Sequence, residues 1–337
     1  MPDHHYYHIT TQGALIPYES PQKTIAMAAA GGFVWFDYFQ PERAELTDLV
    51  EILGLHPLAI EDCFDDNQIP KIEDFHHNTF ILINAFQVER DHLNIDEVDM
   101  FLGANFLVTV CGYQTAERRP LQGIQRLVEQ NLESASQGPA FLLHIIMDQI
   151  VDNKFVAIEA LEEIINQAEE AVLADSEHFE PEQLLYQRRD LLALRKSLFH
   201  EREILVKICR KDCPFIPEKA IYHYRDIYDH LAKFFELTEA ARDVVTSLME
   251  MYLTMLNNQM ARSANTTNNT VRRLTFITTI FMPLTLLAGI GGMSEYSMMT
   301  GSDNWRIAYP AFLLSMGVLG FCSYYLLVWL EKRRPKS

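Results

Sequence analysis

The chain has 337 residues, enough for one large domain or two smaller ones, and its 28 Lys and Arg against 46 Asp and Glu leave a formal net charge of −18. That balance excludes a nucleic-acid binder working through a basic surface. After position 270 seven basic residues face three acidic ones, a local +4, so the first 270 residues hold −22, which either attracts cations or keeps the chain soluble.

The opening segment, MPDHHYYHITTQG, lacks the apolar stretch expected of a secretory signal. His4, His5 and His8 cluster in it; a frayed polar terminus is expected, with a transition-metal site as the alternative. The runs GGFVWFDY, NTFILINAFQV, DEVDMFLG and NFLVTVCG are rich in aromatic and β-branched residues and read as strands. ERAELTDLVEILGL reads as an amphipathic helix with Leu46, Leu49, Val50 and Leu53 on one face. Residues 1–135 are therefore expected to form an α/β domain.

Residues 136–216 change character. AFLLHIIMDQIVDNKFVAIEALEEIINQAEEAVLA and PEQLLYQRRDLLALRKSLFHEREILVKIC each read as one long helix, and Pro214 and Pro217 end the second. A third helix is expected from near Lys219, with no proline before Pro283. Leu237, Val244, Leu248, Met251 and Met255 mark its apolar face, and residues 217–273 read as a stalk. The five cysteines are scattered, as in a reduced compartment. Cys209 and Cys213 sit one helical turn apart, but no second His or Cys pair lies near enough in sequence to complete a zinc site.

Two runs carry no charge at all, Leu274 to Met293 and Ile307 to Leu330. About 20 apolar residues cross a bilayer core, so residues 274–293 and 307–330 are expected to be membrane helices joined by a loop over 294–306. Arg272 and Arg273 precede the first run, and Lys332, Arg333, Arg334 and Lys336 follow the second within the basic tail 331–337. The loop carries only Arg306 against Glu295 and Asp303. The positive-inside rule puts both termini in the cytoplasm of a cell inner or plasma membrane, in contact with lipid. The absence of a phosphate-cradling loop and of a recognisable nucleophile motif argues against an ATP-driven pump or a hydrolase.

The first membrane helix carries a mixed stripe. Asn268, Val271, Leu274, Thr278, Met282 and Thr285 recur every three or four residues and share one face. Two readings fit: the wall of a pore built from several copies of the chain, or a packing face whose threonines bond back to the helix backbone. Pro283 removes one helix hydrogen bond, and Gly289, Gly291 and Gly292 loosen the outer end, where backbone carbonyls can turn toward an axis. Ser294 adds a hydroxyl and Glu295 a carboxylate, the oxygen ligands that hard divalent cations prefer.

RRLTFITTIFMPLTLLAGIGGMS resembles the first membrane helix and signature loop of the CorA family of magnesium and divalent cation transporters. LGLHPLAIEDCFDDNQIPKIEDFHHNTFILI resembles the N-terminal domain signature of that family, YRDIYDH the start of its stalk, and NWRIAYPAFLLSMG the start of its second membrane helix. The resemblance covers about residues 30–335. It implies a funnel-shaped homopentamer of α/β cytoplasmic domains, long stalk helices and two membrane helices per subunit. Such a protein is not an enzyme; it moves Mg2+, sometimes Co2+ or Ni2+, down its gradient, with no organic cofactor, and its partners are itself, lipid and divalent cations, with no nucleic acid. It further implies that the six stripe residues line the pore and that Gly292, Met293, Ser294 and Glu295 form the selectivity loop. Asp62 and Asp226 match the two carboxylates that hold a regulatory Mg2+ between neighbouring subunits.

Two departures from the family pattern stand out. Gly292-Met293-Ser294 replaces Gly-Met-Asn, and Gly291 stands where the family has an aromatic residue. The shorter Ser widens the mouth and weakens its ligand field, so passage of Zn2+, Co2+ or other cations, or a scaffold that no longer conducts, are the alternatives to Mg2+ transport. The stalk also looks seven residues longer between Tyr252 and Leu274, within NNQMARSANTTNN. A longer polar vestibule and a local break in the helix are the two outcomes expected.

Overall fold

The computed structural model describes residues 3–65, 68–89, 92–112, 119–175, 178–293, 298, 301 and 304–332, and it divides into two compact units, Met1–Tyr252 and Leu253–Ser337.

The first unit is built on strands β1 (Asp3–Ile9), β2 (Leu15–Tyr18), β3 (Phe33–Phe39), β4 (Lys71–Asp74), β5 (Asn78–Glu89), β6 (His92–Gly103) and β7 (Phe106–Cys111), in the order β2-β1-β3-β7-β6-β5-β4. β3 and β7 run parallel and all other neighbours antiparallel. Both faces of the sheet are covered, which is why its central strands read as unbroken apolar runs. Alternate residues of β3 serve different cores: Phe33 and Trp35 enter one, Val34, Phe36 and Tyr38 the other.

On one face, α2 (Arg43–Leu53) and α3 (Pro57–Asp62) bury Leu46, Leu49, Ala59 and Ile60 against Phe36, Phe80, Leu82 and Phe101. A capping box between Glu42 and Glu45 starts α2, and Gly54 at φ 72° ends it in the left-handed region that favours glycine. Pro57 then opens α3, where its missing N–H costs nothing.

The other face carries α6 (Pro139–Ala174), α7 (Glu182–Cys209) and the beginning of α8 (Glu218–Gly291). The Tyr224 hydroxyl donates to the carbonyl of Ala140 at 2.6 Å and ties α8 to α6. Lys154 of α6 is fully buried; its Nζ donates to Oε1 of Glu201 at 2.9 Å and to the carbonyl of Asn84. The same Glu201 oxygen accepts from the Asn84 N–H at 3.0 Å and from Ser197 Oγ at 3.1 Å, so one polar cluster links β5, α6 and α7. The shorter helices α1 (Pro21–Ala28), α4 (Ile124–Gln130) and α5 (Leu132–Ala135) fill the connections.

Two expectations are corrected. The N-terminal segment is not frayed: residues 3–9 pair along their whole length with residues 33–39. Alternation explains it, because Tyr7 stacks on Trp35 at 4.9 Å while Tyr6 meets Phe36 edge-on from the opposite face. The core-facing stripe of α8 is Tyr224, Ile227, Leu231, Phe234, Thr238, Ala241, Val245 and Leu248, whereas Val244 is 43% exposed. Sequence periodicity alone does not say which of two adjoining apolar stripes meets the sheet.

The second unit holds the outer part of α8 and α9 (Trp305–Lys332). Both helices contain a segment apolar and long enough to cross a membrane. NNQMARSANTTNN is helical throughout, which removes the break as an outcome. Pro283 is accommodated within α8.

Candidate functional site

All six stripe residues, Asn268, Val271, Leu274, Thr278, Met282 and Thr285, are exposed on α8. The partly buried residues of the same stretch are Phe276, Ile280, Pro283, Leu284, Leu287 and Gly291. Their spacing of three and four defines a second face, which meets α9: Leu284 lies beside Gly320, and Phe312 lies against Gly291. Thr278 and Ile280, like Met282 and Leu284, are two residues apart and so point about 200° from each other. The stripe is therefore turned away from α9.

The Thr278 hydroxyl donates to the carbonyl of Leu274 and that of Thr285 to Phe281, each at 2.8 Å. Thr266, Thr270, Thr275 and Thr279 do the same one turn back. A hydroxyl has one hydrogen and two lone pairs, so spending the hydrogen on the helix leaves its oxygen as an acceptor. The back-bonding reading and the pore-lining reading are thus compatible: such oxygens accept from the waters of a hydrated cation.

At the outer end of α8 the Gly292 N–H donates to Ala288 at 3.0 Å and the Met293 N–H to Ile290 at 3.2 Å, continuing the ladder to the edge of the loop. Ser294 and Glu295 lie outside the described residues.

Asp62 is the last residue of α3, and its carboxylate accepts from Lys71 Nζ on β4 at 2.7 Å. Lys71 also reaches Glu73 at 3.5 Å and stands over the Phe80 ring. Burial is the largest single influence and works against the Lys71 charge, but the bond to and charge of Asp62 together with Glu73 outweigh it, and the ammonium is held above the ordinary lysine range. Asp226 is exposed on α8. The structure does not bring these two carboxylates together within one chain, because α3 and α8 cover opposite faces of the sheet.

The model of the family described as CorA-like Mg2+ transporter protein matches residues 30–333. This chain belongs to that family. It is 32% identical over 298 residues to YfjQ of Bacillus subtilis (strain 168), covering 88% of this chain and 87% of that protein. It is 30% identical over 305 residues to the cobalt/magnesium transport protein CorA of Thermotoga maritima, covering 89% of this chain and 82% of that one. The complete structure of the CorA magnesium transporter from Methanocaldococcus jannaschii superposes with a TM-score of 0.72 at 21% identity, over 98% of each chain, and shares the fold. CorA-like proteins are membrane transporters of divalent cations, not enzymes.

One group on the CorA-like scaffold has no signature in the sequence motifs. Asp148 and Asp152, one turn apart on α6, converge with His230 of α8 so that their ligand atoms lie within 4.8 Å of one another. Burial raises the pKa of Asp148, and the charges of Asp152 and then Asp226 add to it, while His230 works the other way. Nearby His144, ringed by His223 and Tyr224, is pushed by burial and by His223 down to about 4 and stays neutral. The i, i+4 spacing in DQIVD was the available sequence signal; its partner on a helix 78 positions away from Asp152 was not visible. Carboxylate oxygens at Asp62, Asp226, Asp148 and Asp152 fit a hard divalent cation by their chemistry.

Proposed function

We propose that the chain forms a homopentameric channel through which Mg2+ passes down its gradient, with α8 of each subunit lining the pore. The observation that carries this reading is the orientation of the stripe. Asn268, Val271, Leu274, Thr278, Met282 and Thr285 face away from α9, exposed, with threonine lone pairs free to accept. One such face encloses nothing, whereas several around an axis enclose a path. Mg2+ releases its waters reluctantly, so acceptors for water hydrogens suit it better than a tight cage. Leu274 and Met282 act as apolar constrictions that close by dewetting. The loop of Gly292, Met293, Ser294 and Glu295 sets selectivity on the outer side, and both termini lie in the cytoplasm beneath an inner or plasma membrane.

Asp62 and Asp226 hold a regulatory divalent cation between neighbouring subunits. Their separation on opposite faces of one chain's sheet supports a role only across subunits. Like charges brought together at an interface repel, and a cation between them stabilises the closed arrangement.

A second reading is favoured by one observation, the loss of an amide at position 294. Ser294 offers a weaker field than the Asn of the family pattern, and Glu295 attracts cations with little discrimination, so Zn2+, Co2+ or monovalent ions become the cargo. Flux into liposomes holding the purified protein decides between them, with Mg2+, Zn2+, Co2+ and Na+ compared and Ser294→Asn measured alongside. Entry of Mg2+, with a sharper preference in Ser294→Asn, is the expected result. Dominance of another ion transfers the assignment to it. No flux through folded pentamers of either protein makes the chain a scaffold.

A further inference from the structure

Lys71 is an unusual neighbour for a cation site. Its ammonium lies 2.7 Å from the Asp62 carboxylate, and the pair is partly buried, at 27% and 19% side-chain exposure. Lys71 is anchored on β4, where it pairs with Leu82 of β5, and its ammonium lies over the Phe80 ring. A second acceptor, Glu73, stands 3.5 Å away and is more exposed, at 44%. The whole arrangement lies inside one chain and needs no neighbour.

We propose that Lys71 is a built-in counter-cation of Asp62, which a divalent cation must displace, so that it sets the concentration at which the regulatory site fills. The inference rests on the reading of Asp62 as a cation ligand given above. A carboxylate bonded to an ammonium has part of its charge and one oxygen already committed. A divalent cation approaching the same group meets the lysine as a like charge. Displacement is reversible because Glu73 receives the ammonium: Lys71 swings from the more buried acid to the more exposed one and keeps an ionic partner. The free site is then a competition between two states of one side chain. If the Asp62-paired state holds about 70–90% of the population, the apparent affinity for the cation falls about three- to tenfold below its intrinsic value. The lysine also keeps Asp62 from standing as an uncompensated, half-buried charge when the cation is absent.

The test uses the full-length protein in detergent and reads protection, not transport: resistance to limited proteolysis and thermal stability, titrated with MgCl2 at constant ionic strength. Lys71→Met and Lys71→Gln are expected to lower the half-protecting Mg2+ concentration about three- to tenfold. Lys71→Arg, which keeps the charge, should stay near the wild-type midpoint. Asp62→Asn should lose the saturable response, and adding Lys71→Met to it should change nothing further. An unshifted or raised midpoint in both neutral variants, with the response still lost in Asp62→Asn, overturns the role of Lys71 alone. A full response in Asp62→Asn overturns the reading of Asp62 and the inference with it. Comparing Met with Gln guards against a folding defect peculiar to one of them.

Discussion

Phe312 of α9 closes against Gly291 at the end of α8, so near that a Cβ at position 291 would fall 2.6 Å from its Cζ. The resemblance places an aromatic residue at that position, and here the ring arrives from the second membrane helix instead. The space next to the loop is filled from the other side, which leaves glycine as the residue that fits. Gly291→Phe is expected to destabilise the full-length protein by about 1–3 kcal/mol, the usual cost of overpacking. Gly291→Phe combined with Phe312→Ala should recover most of that loss, because the ring is moved rather than added. Thermal unfolding in detergent measures both, and an unaffected Gly291→Phe would remove the close contact.

The pair of Lys154 and Glu201 is buried on both sides, with side-chain exposures of 0% and 1%. Burial pulls the lysine pKa down, and Glu201 opposes that. Removing one partner strands the other charge in the interior. Lys154→Met or Glu201→Gln should each cost about 3–5 kcal/mol, and the double substitution should cost less than the sum of the two. A double-mutant cycle on denaturant unfolding gives the coupling directly, and strict additivity would show that the two groups act independently.

Asp99 on β6 is 1% exposed, and its Oδ1 finds no hydrogen-bond partner. Burial pushes its carboxyl from 3.8 up to about 8, the charge of Glu97 adds to this, and the Cys63 thiol works the other way. The folded state therefore holds this proton more tightly than the unfolded chain. The resulting stabilisation is complete below about pH 4 and is lost as the pH rises through about 8. The slope from this one group reaches at most about 1.4 kcal/mol per pH unit. Asp99→Asn should flatten the stability profile between pH 5 and 9 and be the more stable protein at the alkaline end. Parallel profiles for the two proteins would place the proton elsewhere.

How much was visible beforehand differs from element to element. The strands at GGFVWFDY and NFLVTVCG form at β3 and β7, and the amphipathic segment after Glu42 forms α2. Their composition and periodicity are local, and local signals survive folding. β1 was hidden because its histidines and tyrosines look polar until Trp35 and Phe36 are placed beside them.

By itself the sequence determined the membrane helices and the family. Charge-free runs of about 20 residues flanked by basic residues are long enough to cross a bilayer core, and ordered motifs over most of the chain specify one scaffold. Tertiary structure alone decided which face of α8 meets α9, that Asp62 is held by Lys71, that Asp148 and Asp152 converge with His230, and that Asp62 and Asp226 stand on opposite faces of the sheet. Each of these depends on how separate helices and strands pack against one another or are held apart. Helical and strand periods say which residues share a face, and only packing says what that face meets.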